Sequence, residues 1–265
     1  MALDLVVSGA TGRMGRALGR LIGEAEDLRA LGGIAPDMPP EGAAALGYPE
    51  IVAADACGEM LRRADAVIDF SAPEQLAAIL DRYGDDLAGK ALLVGTTGLG
   101  DDLERRLDTL AGRAAVLVAA NFSVGVNLLL ELVERAARAL PGEEYDIEVV
   151  EAHHRRKADA PSGTALALAK AAAAGRGVAL DDVRTDGRSG RTGERPAGEI
   201  GIHALRGGDV VGEHAVHFLG ARERIAIRHA ASSRDLFAEG ALVAARWLAG
   251  REPGKYAMAD VLGLH

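Results

Sequence analysis

The chain has 265 residues, enough for one large or two modest domains with a real core. It is 49% hydrophobic and 26% charged, as soluble globular proteins are, and its net charge of −9 excludes a general nucleic-acid binder, which needs a basic surface. A single cysteine, Cys57, excludes an internal disulfide, and no apolar run reaches the roughly 18–20 residues of a membrane span. The start, MALDLVVSGATGRMG, has neither the basic opening nor the apolar stretch of a secretory signal, so a cytoplasmic protein is expected.

The first half alternates short apolar strands with amphipathic helices. DLVVSGA (4–10) reads as a strand, 13–25 as a helix and LRALGGIA (28–35) as a strand. Strands follow at 64–70, 90–98 and 114–123, with helices at 73–84 and 101–113 between them. This alternation predicts right-handed βαβ units and a parallel sheet covered on both faces.

The pattern changes near residue 124. Residues 124–140 predict a helix with Leu128, Leu129, Leu132, Val133 and Ala136 in one apolar stripe. A strand is predicted at 145–153, and a helix from 162 that stops near Gly175. The stretch 181–198 lacks apolar periodicity and reads as a long, mobile loop. Alternation over 198–232, with turns at Gly207-Gly208 and Gly220-Ala221, predicts successive antiparallel hairpins, and 235–251 predicts a closing helix. The fold class is thus α/β: a Rossmann-type parallel-sheet dinucleotide-binding domain plus an α+β domain with an open mixed sheet.

GATGRMG places Gly9, Gly12 and Gly15 between the first strand and first helix, where a dinucleotide loop belongs. Glycine permits close backbone approach, and a helix N-terminus offers N–H groups to a pyrophosphate. Asp37, after the second strand, stands where an acid would hydrogen-bond the adenosine ribose. GTTG (95–98) and AANFS (119–123) end two further strands, where ligands of open parallel sheets lie.

EAHHRRKADAPSGTA (151–165) concentrates basic groups in an acidic chain. An imidazole titrates near 6.5, as suits proton transfer at neutral pH, and Ser162, Gly163 and Thr164 would offer donors to a carboxylate at a helix start. His203, His214, His217 and His229 lack paired spacing and read as sheet or interface residues; no metal site is expected.

GATGRMG, VIDFSAPE, VGTTG, AANFSVGVN, EAHHRRKADAPSGTA, RTGER, GEHAVHF and HAASSR occur in this order. The set strongly resembles the dihydrodipicolinate reductase family of bacterial lysine and diaminopimelate synthesis, over nearly the whole chain. The resemblance implies a cytoplasmic homotetramer that reduces a cyclic, unsaturated dicarboxylate with NADH or NADPH, binding neither membrane nor nucleic acid. It implies His153 as proton donor/acceptor and Lys157 as proton donor, with His154, Gly163 and Thr164 contacting substrate. For the cofactor it implies Gly9, Ala10, Thr11, Gly12, Arg13 and Met14, then Gly95, Thr96 and Thr97, then Ala119, Ala120, Asn121 and Phe122. It also implies a last helix that packs on the nucleotide domain. The expected domains are 1–123 completed by 234–265, and a substrate-binding and tetramerisation domain over 124–233.

One departure bears on the cofactor. The family often has an acid followed by Arg after the second strand, whereas this chain has APDM, with Asp37 but no Arg. NADH is therefore expected to be favoured, with Arg13 as the nearest candidate to meet a 2′-phosphate. Two other readings stay open: another small-substrate NAD(P)-dependent dehydrogenase, and a non-catalytic dinucleotide-binding regulatory protein. Neither accounts for HHRRK ahead of SGT.

Overall fold

A computed structural model describes residues 2–38 and 40–264. The chain divides into two compact units, residues 1–124 with 235–265, and residues 125–234.

The first unit begins with β1 (Leu3–Ser8), α1 (Arg13–Glu24), β2 (Leu28–Ile34), the two-residue β3 (Ile51–Val52) and α2 (Gly58–Arg63). It continues with β4 (Ala66–Asp69), α3 (Pro73–Tyr83), β5 (Ala91–Val94), α4 (Gly100–Ala111) and β6 (Ala115–Val118). Helix α5 (Val124–Ala139) opens the second unit, followed by β7 (Tyr145–His153), α6 (Gly163–Arg176), the one-turn α7 (Leu180–Val183) and β8 (Arg184–Asp186). After β9 (Ile200–Arg206), β10 (Gly212–Gly220) and β11 (Arg224–Ala231), the chain returns to the first unit as α8 (Asp235–Leu248), β12 (Gly254–Tyr256) and α9 (Met258–Leu262).

The first unit's seven strands lie in the order β12-β6-β5-β4-β1-β2-β3, all parallel. Leu5 and Val7 are buried in one apolar cluster with Leu18 and Ile22 of α1 and Ala241 and Leu248 of α8. Val6 is buried in a second, with Leu61, Leu76 and Leu107 from α2, α3 and α4. A strand buried on both faces is apolar at successive positions, so these runs show no alternation. Pro73 at the first turn of α3 fits because the N–H it lacks has no helical partner there. β3, α2 and β12 lie outside the sequence expectations: strands of two or three residues and a helix of six carry no readable period.

The second unit's sheet runs β11-β10-β7-β9-β8. Alternation along β7 sends Ile147 and Val149 into a core with Leu129 and Val133 of α5 and Leu168 and Ala172 of α6. Three expectations are corrected here. Gly207-Gly208 does not close a hairpin, because β9 pairs parallel to β7 while β10 lies antiparallel on its other side. The connection crosses the end of β7 instead, with the Gly207 N–H donating to the His153 carbonyl and the His154 N–H to the Val210 carbonyl. Among the described residues, β10 and β11 form the hairpin of this sheet.

Second, the apolar stripe of α5 splits: Leu129 and Val133 are buried, whereas Leu128 and Leu132 are exposed. Third, 181–198 is not a bare loop. It holds one turn of α7 and the edge strand β8, paired to β9 at Arg184–Ile200. Arg195 of this stretch donates from Nε to Glu148 (2.9 Å), from Nη1 to Asp146 (2.6 Å) and from Nη2 to the Ile147 carbonyl (3.1 Å). Arg188 also pairs with Glu148 and Glu199. Ion pairs rather than apolar periodicity hold the segment, so a hydropathy pattern does not register it.

Candidate active site

In the first unit, connections from β1 lead to β2 and β3 on one side and those from β4 to β5 and β6 on the other. A crevice forms at such a reversal, at the carboxyl ends of the strands. Gly9 and Ala10 leave β1 there, both N–H groups donating to the Ile34 carbonyl. A Cβ on Gly9 would stand 2.3 Å from the Phe70 carbonyl oxygen, and one on Gly15 2.3 Å from the Gly9 oxygen. These two glycines are thus required by the chain's own packing. Gly12 differs: its Cβ would meet only the Gly9 oxygen, at 3.2 Å. Thr11 is half-buried, Gly12 and Arg13 are exposed, Met14 packs on the core, and no side chain caps the first turn of α1.

The other strand ends meet around Phe70. A Cβ on Gly95 would lie 2.1 Å from the Phe70 ring, and Phe122, itself buried, packs edge-to-face on that ring at 5.4 Å. Thr96 is buried and donates to Asp69 (2.5 Å), while Thr97 is exposed. Burial raises the Asp69 carboxyl above its usual range, against the donors Ser71, Ser8 and Thr96. Ala119 and Asn121 are half-buried, Ala120 is exposed, and Asn121 accepts from the Ser123 N–H (2.8 Å). Asp37 is exposed in a bend three residues beyond β2. Arg16, on α1, donates to the Thr11 carbonyl (2.9 Å) and to Glu41 (2.5 Å).

In the second unit, β7 ends at His153, which alternation places on the same face as Glu151. Glu151 is fully buried. Its carboxylate faces four donors: His153 Nδ1 (2.6 Å), Arg206 Nη1 and Nη2 (2.7 Å each) and the Ser162 N–H (3.0 Å). Burial pushes this carboxyl up, but the donors from Arg206, His153 and Ser162 outweigh it and hold it below the usual range. Ser162 caps α6, its Oγ accepting from the Ala165 N–H (3.2 Å), so Gly163 and Thr164 occupy the first helical turn. Gly163 is exposed, with nothing near an added Cβ.

Between β7 and α6 a turn carries the remaining cations. The Lys157 N–H donates to the His154 carbonyl (3.1 Å), and its Nζ pairs with Asp159. Arg155 is exposed, and Arg156 pairs with Asp209 at 2.8 Å. Arg234 donates to His154 Nε2 (3.0 Å), and burial, with Arg156 and Arg234 nearby, lowers the His154 pKa. The Ala160–Pro161 bond is cis.

Three residues of this cluster went unread in the sequence. Glu151 and Arg206 lie 55 positions apart, and only the parallel β7–β9 pairing brings them together. His214, expected as a sheet or interface residue, lies opposite Glu151 in register, stacks edge-on against His153 at 5.2 Å and sits 3.1 Å from Ser162 Oγ. Burial, then the neighbouring His153 charge, brings its pKa down to about 4. The alternation of β7 could have signalled Glu151, a charged residue on the core-facing side of an apolar strand.

Family models and full-length relatives point to one group. The family described as dihydrodipicolinate reductase, N-terminus, matches residues 3–122, and its C-terminus counterpart matches residues 125–262. A 4-hydroxy-tetrahydrodipicolinate reductase of Parvibaculum lavamentivorans is 50% identical over 99% of this chain and 98% of its own length. One from Alkalilimnicola ehrlichii is 47% identical over the full length of both. Among solved structures, a dipicolinate-bound dihydrodipicolinate reductase from Paenisporosarcina sp. TG-14 superposes with a TM-score of 0.74, covering 98% of this chain and 99% of that one. At 20% identity it speaks for the fold alone. Matched by both halves of the family over 258 of its residues (120 in 3–122 and 138 in 125–262) and by relatives along its full length, the chain belongs to the dihydrodipicolinate reductase family.

Proposed function

We propose that this chain reduces 4-hydroxy-tetrahydrodipicolinate, by way of dihydrodipicolinate, to tetrahydrodipicolinate, using NADH or NADPH, in lysine and diaminopimelate biosynthesis. Full-length identity of up to 50% with reductases named for that substrate supports the reaction. The observation that carries the chemistry is the pairing of buried Glu151 with half-buried His153 beside the Ser162 cap.

The nicotinamide, when bound, supplies a hydride. Gly9 to Met14 would hold the pyrophosphate, since α1 opens without a side-chain cap on its first-turn N–H groups. Asp37 would accept from a ribose hydroxyl, and Gly95 to Thr97 with Ala119 to Phe122 would flank the nicotinamide half. Hydride addition to the conjugated imine leaves an electron-rich enamine system that must gain one proton. His153 Nε2 would deliver it, because Nδ1 is engaged by Glu151. Lys157 supplies a second proton source and a counter-charge. Gly163 and Thr164, with Ser162 and His154, hold the carboxylates at the start of α6.

Mixing purified protein with NADH and freshly made substrate, and following the loss of nicotinamide absorbance, tests this reading. No loss with either nucleotide would sink it. A cytoplasmic homotetramer completes the proposal. Cys57 is an unpaired, buried thiol, as suits a reducing compartment. The face of the five-stranded sheet opposite its helices presents Val150, Ala152 and exposed Leu205, and β11 is an open edge. Light scattering at assay concentration should return four chains; a monomer would count against it.

A further inference from the structure

We propose that Glu151 is the positioning residue of the proton transfer: it holds His153 with a proton on Nδ1, so that Nε2 is the nitrogen that exchanges a proton with substrate, and the same carboxylate ties that ring to the carboxylate-binding turn at Ser162. This rests on the reaction assigned above.

The argument starts from bond capacity. A carboxylate offers about four acceptor positions and no proton of its own. At Glu151 the partners at 2.6–3.0 Å number four: one from His153, two from Arg206 and one from Ser162. An ionised acceptor facing Nδ1 requires that nitrogen to carry hydrogen. The neutral ring then has a bare Nε2, and the charged ring carries its transferable proton there.

The space around Nε2 is kept clear by a missing side chain. A Cβ on Gly212 would stand 3.1 Å from Nε2 and 3.5 Å from Cδ2. Gly212 is buried at the head of β10, next to the connection that crosses the end of β7. An alanine there would crowd the nitrogen that has to reach substrate, without touching Glu151.

The neighbours complete the assignment. Arg206 balances the buried carboxylate and also donates to the carbonyl of Asp159 (2.7 Å), joining Glu151 to the turn that carries Lys157. Ser162 Oγ accepts from the Ala165 N–H and also lies within hydrogen-bond reach of His214 Nε2, at 3.1 Å. Ser162 is thus fixed twice, by its amide through Glu151 and by its hydroxyl through His214. Burial, then the neighbouring His153 charge, brings the His214 pKa down to about 4, so at neutral pH this ring places no second positive charge beside His153. A plain buried ion pair with Arg206 would need neither the bond to His153 nor the bond to Ser162.

The test uses intact protein labelled with 15N-histidine. At a pH that leaves the imidazole neutral, long-range 1H–15N spectra of the unmodified enzyme should show His153 protonated on Nδ1. In Glu151→Gln the amide nitrogen is a donor facing donors, so the His153 signals should shift away from the pure Nδ1–H form. Its kcat should fall at least about tenfold, and up to about 10⁴-fold, the range for losing a positioned acid or its correct tautomer. Gly212→Ala should lower kcat with the Nδ1–H signature intact. A neutral His153 protonated on Nε2 in the unmodified enzyme would overturn the proposal, and that measurement stands even if Glu151→Gln does not fold. A kcat loss below tenfold in Glu151→Gln, or a loss with an unchanged tautomer, would also overturn it. If the unmodified enzyme does not oxidise NADH or NADPH with this substrate, the reaction reading fails instead, and the spectra still report the tautomer.

Discussion

Lys157 donates from Nζ to both carboxylate oxygens of Asp159, at 2.8 and 2.9 Å. Lys157 is mostly covered while Asp159 is open to solvent, and the hydrogen bond from Lys157 holds the Asp159 carboxyl below its usual range. An incoming carboxylate therefore competes with Asp159 for this ammonium. Lys157→Ala should raise the substrate KM and lower kcat, each by about tenfold, as loss of one charged hydrogen bond of roughly 1.5–3 kcal/mol implies. Asp159→Asn should lower KM by removing the competitor. Arg155→Ala and Arg156→Ala should do less, because both side chains face solvent. Steady-state kinetics on the four variants decides; equal losses for all three cations would reduce the cluster to a diffuse positive field.

His153→Gln should lower kcat by about 10²–10⁴ while NADH still binds. The amide can keep a hydrogen bond to Glu151 but cannot carry and release a proton near neutral pH. Fluorescence titration with NADH separates lost binding from lost chemistry. Turnover near that of the unmodified enzyme would remove His153 from the proton step.

How far these sites could be read in advance differs by residue. The nucleotide unit was legible because its strands are continuous apolar runs separated by helices of about three turns, a pattern that needs no long-range knowledge. The EAHHRRKADAPSGTA stretch was legible because its members are close in sequence and its Ser-Gly-Thr start caps a helix. Glu151, Arg206 and His214 were not. Their meeting depends on β7 lying between β9 and β10, whereas a Gly-Gly turn suggests that β9 and β10 pair with each other. Arg195 and Arg188 were missed for a related reason: each crosses to a carboxylate on β7 some 40 or more positions away.

That second cluster makes a prediction about acid stability. Burial pushes the Glu148 carboxyl up, but donors from Arg188, Arg195 and His203 outweigh it and bring its pKa down to about 2. A carboxyl lowered on folding stabilises the fold above its unfolded value, about 4.3, and the contribution fades as pH falls towards 2. Glu148→Gln should therefore cost about 1–3 kcal/mol at pH 7, discounted for partial solvent access, and progressively less below pH 4. Gly201→Ala should also destabilise, because its Cβ would stand 1.9 Å from Glu148 Oε2, and part of that cost, being steric, should persist at low pH. Urea unfolding at a series of pH values measures both. A Glu148→Gln cost that stays constant down to pH 2 would mean that packing, not ionisation, is at stake.

The cofactor preference follows from charges around the end of β2. Asp37 follows the strand in a bend, and Arg16 is engaged by Glu41 and by the Thr11 carbonyl. An acid accepts from a ribose 2′-hydroxyl and repels a 2′-phosphate, and an arginine already paired with a carboxylate offers less of its charge to that phosphate. NADH should therefore be favoured over NADPH by a few-fold to tens-fold in kcat/KM, or roughly 1–2 kcal/mol. Glu41→Ala should narrow the gap by freeing Arg16, mainly through a lower KM for NADPH, and Asp37→Ala should narrow it by raising the KM for NADH. Arg16→Ala should leave NADH use nearly unchanged and abolish the gain from Glu41→Ala when the two are combined. The measurement is kcat/KM for both nucleotides in one buffer at fixed ionic strength, because a phosphate contact is salt-dependent. A clear NADPH preference in the unmodified enzyme, kept in Arg16→Ala, would move the reading of the 2′ position to Arg13, the exposed arginine at the start of α1.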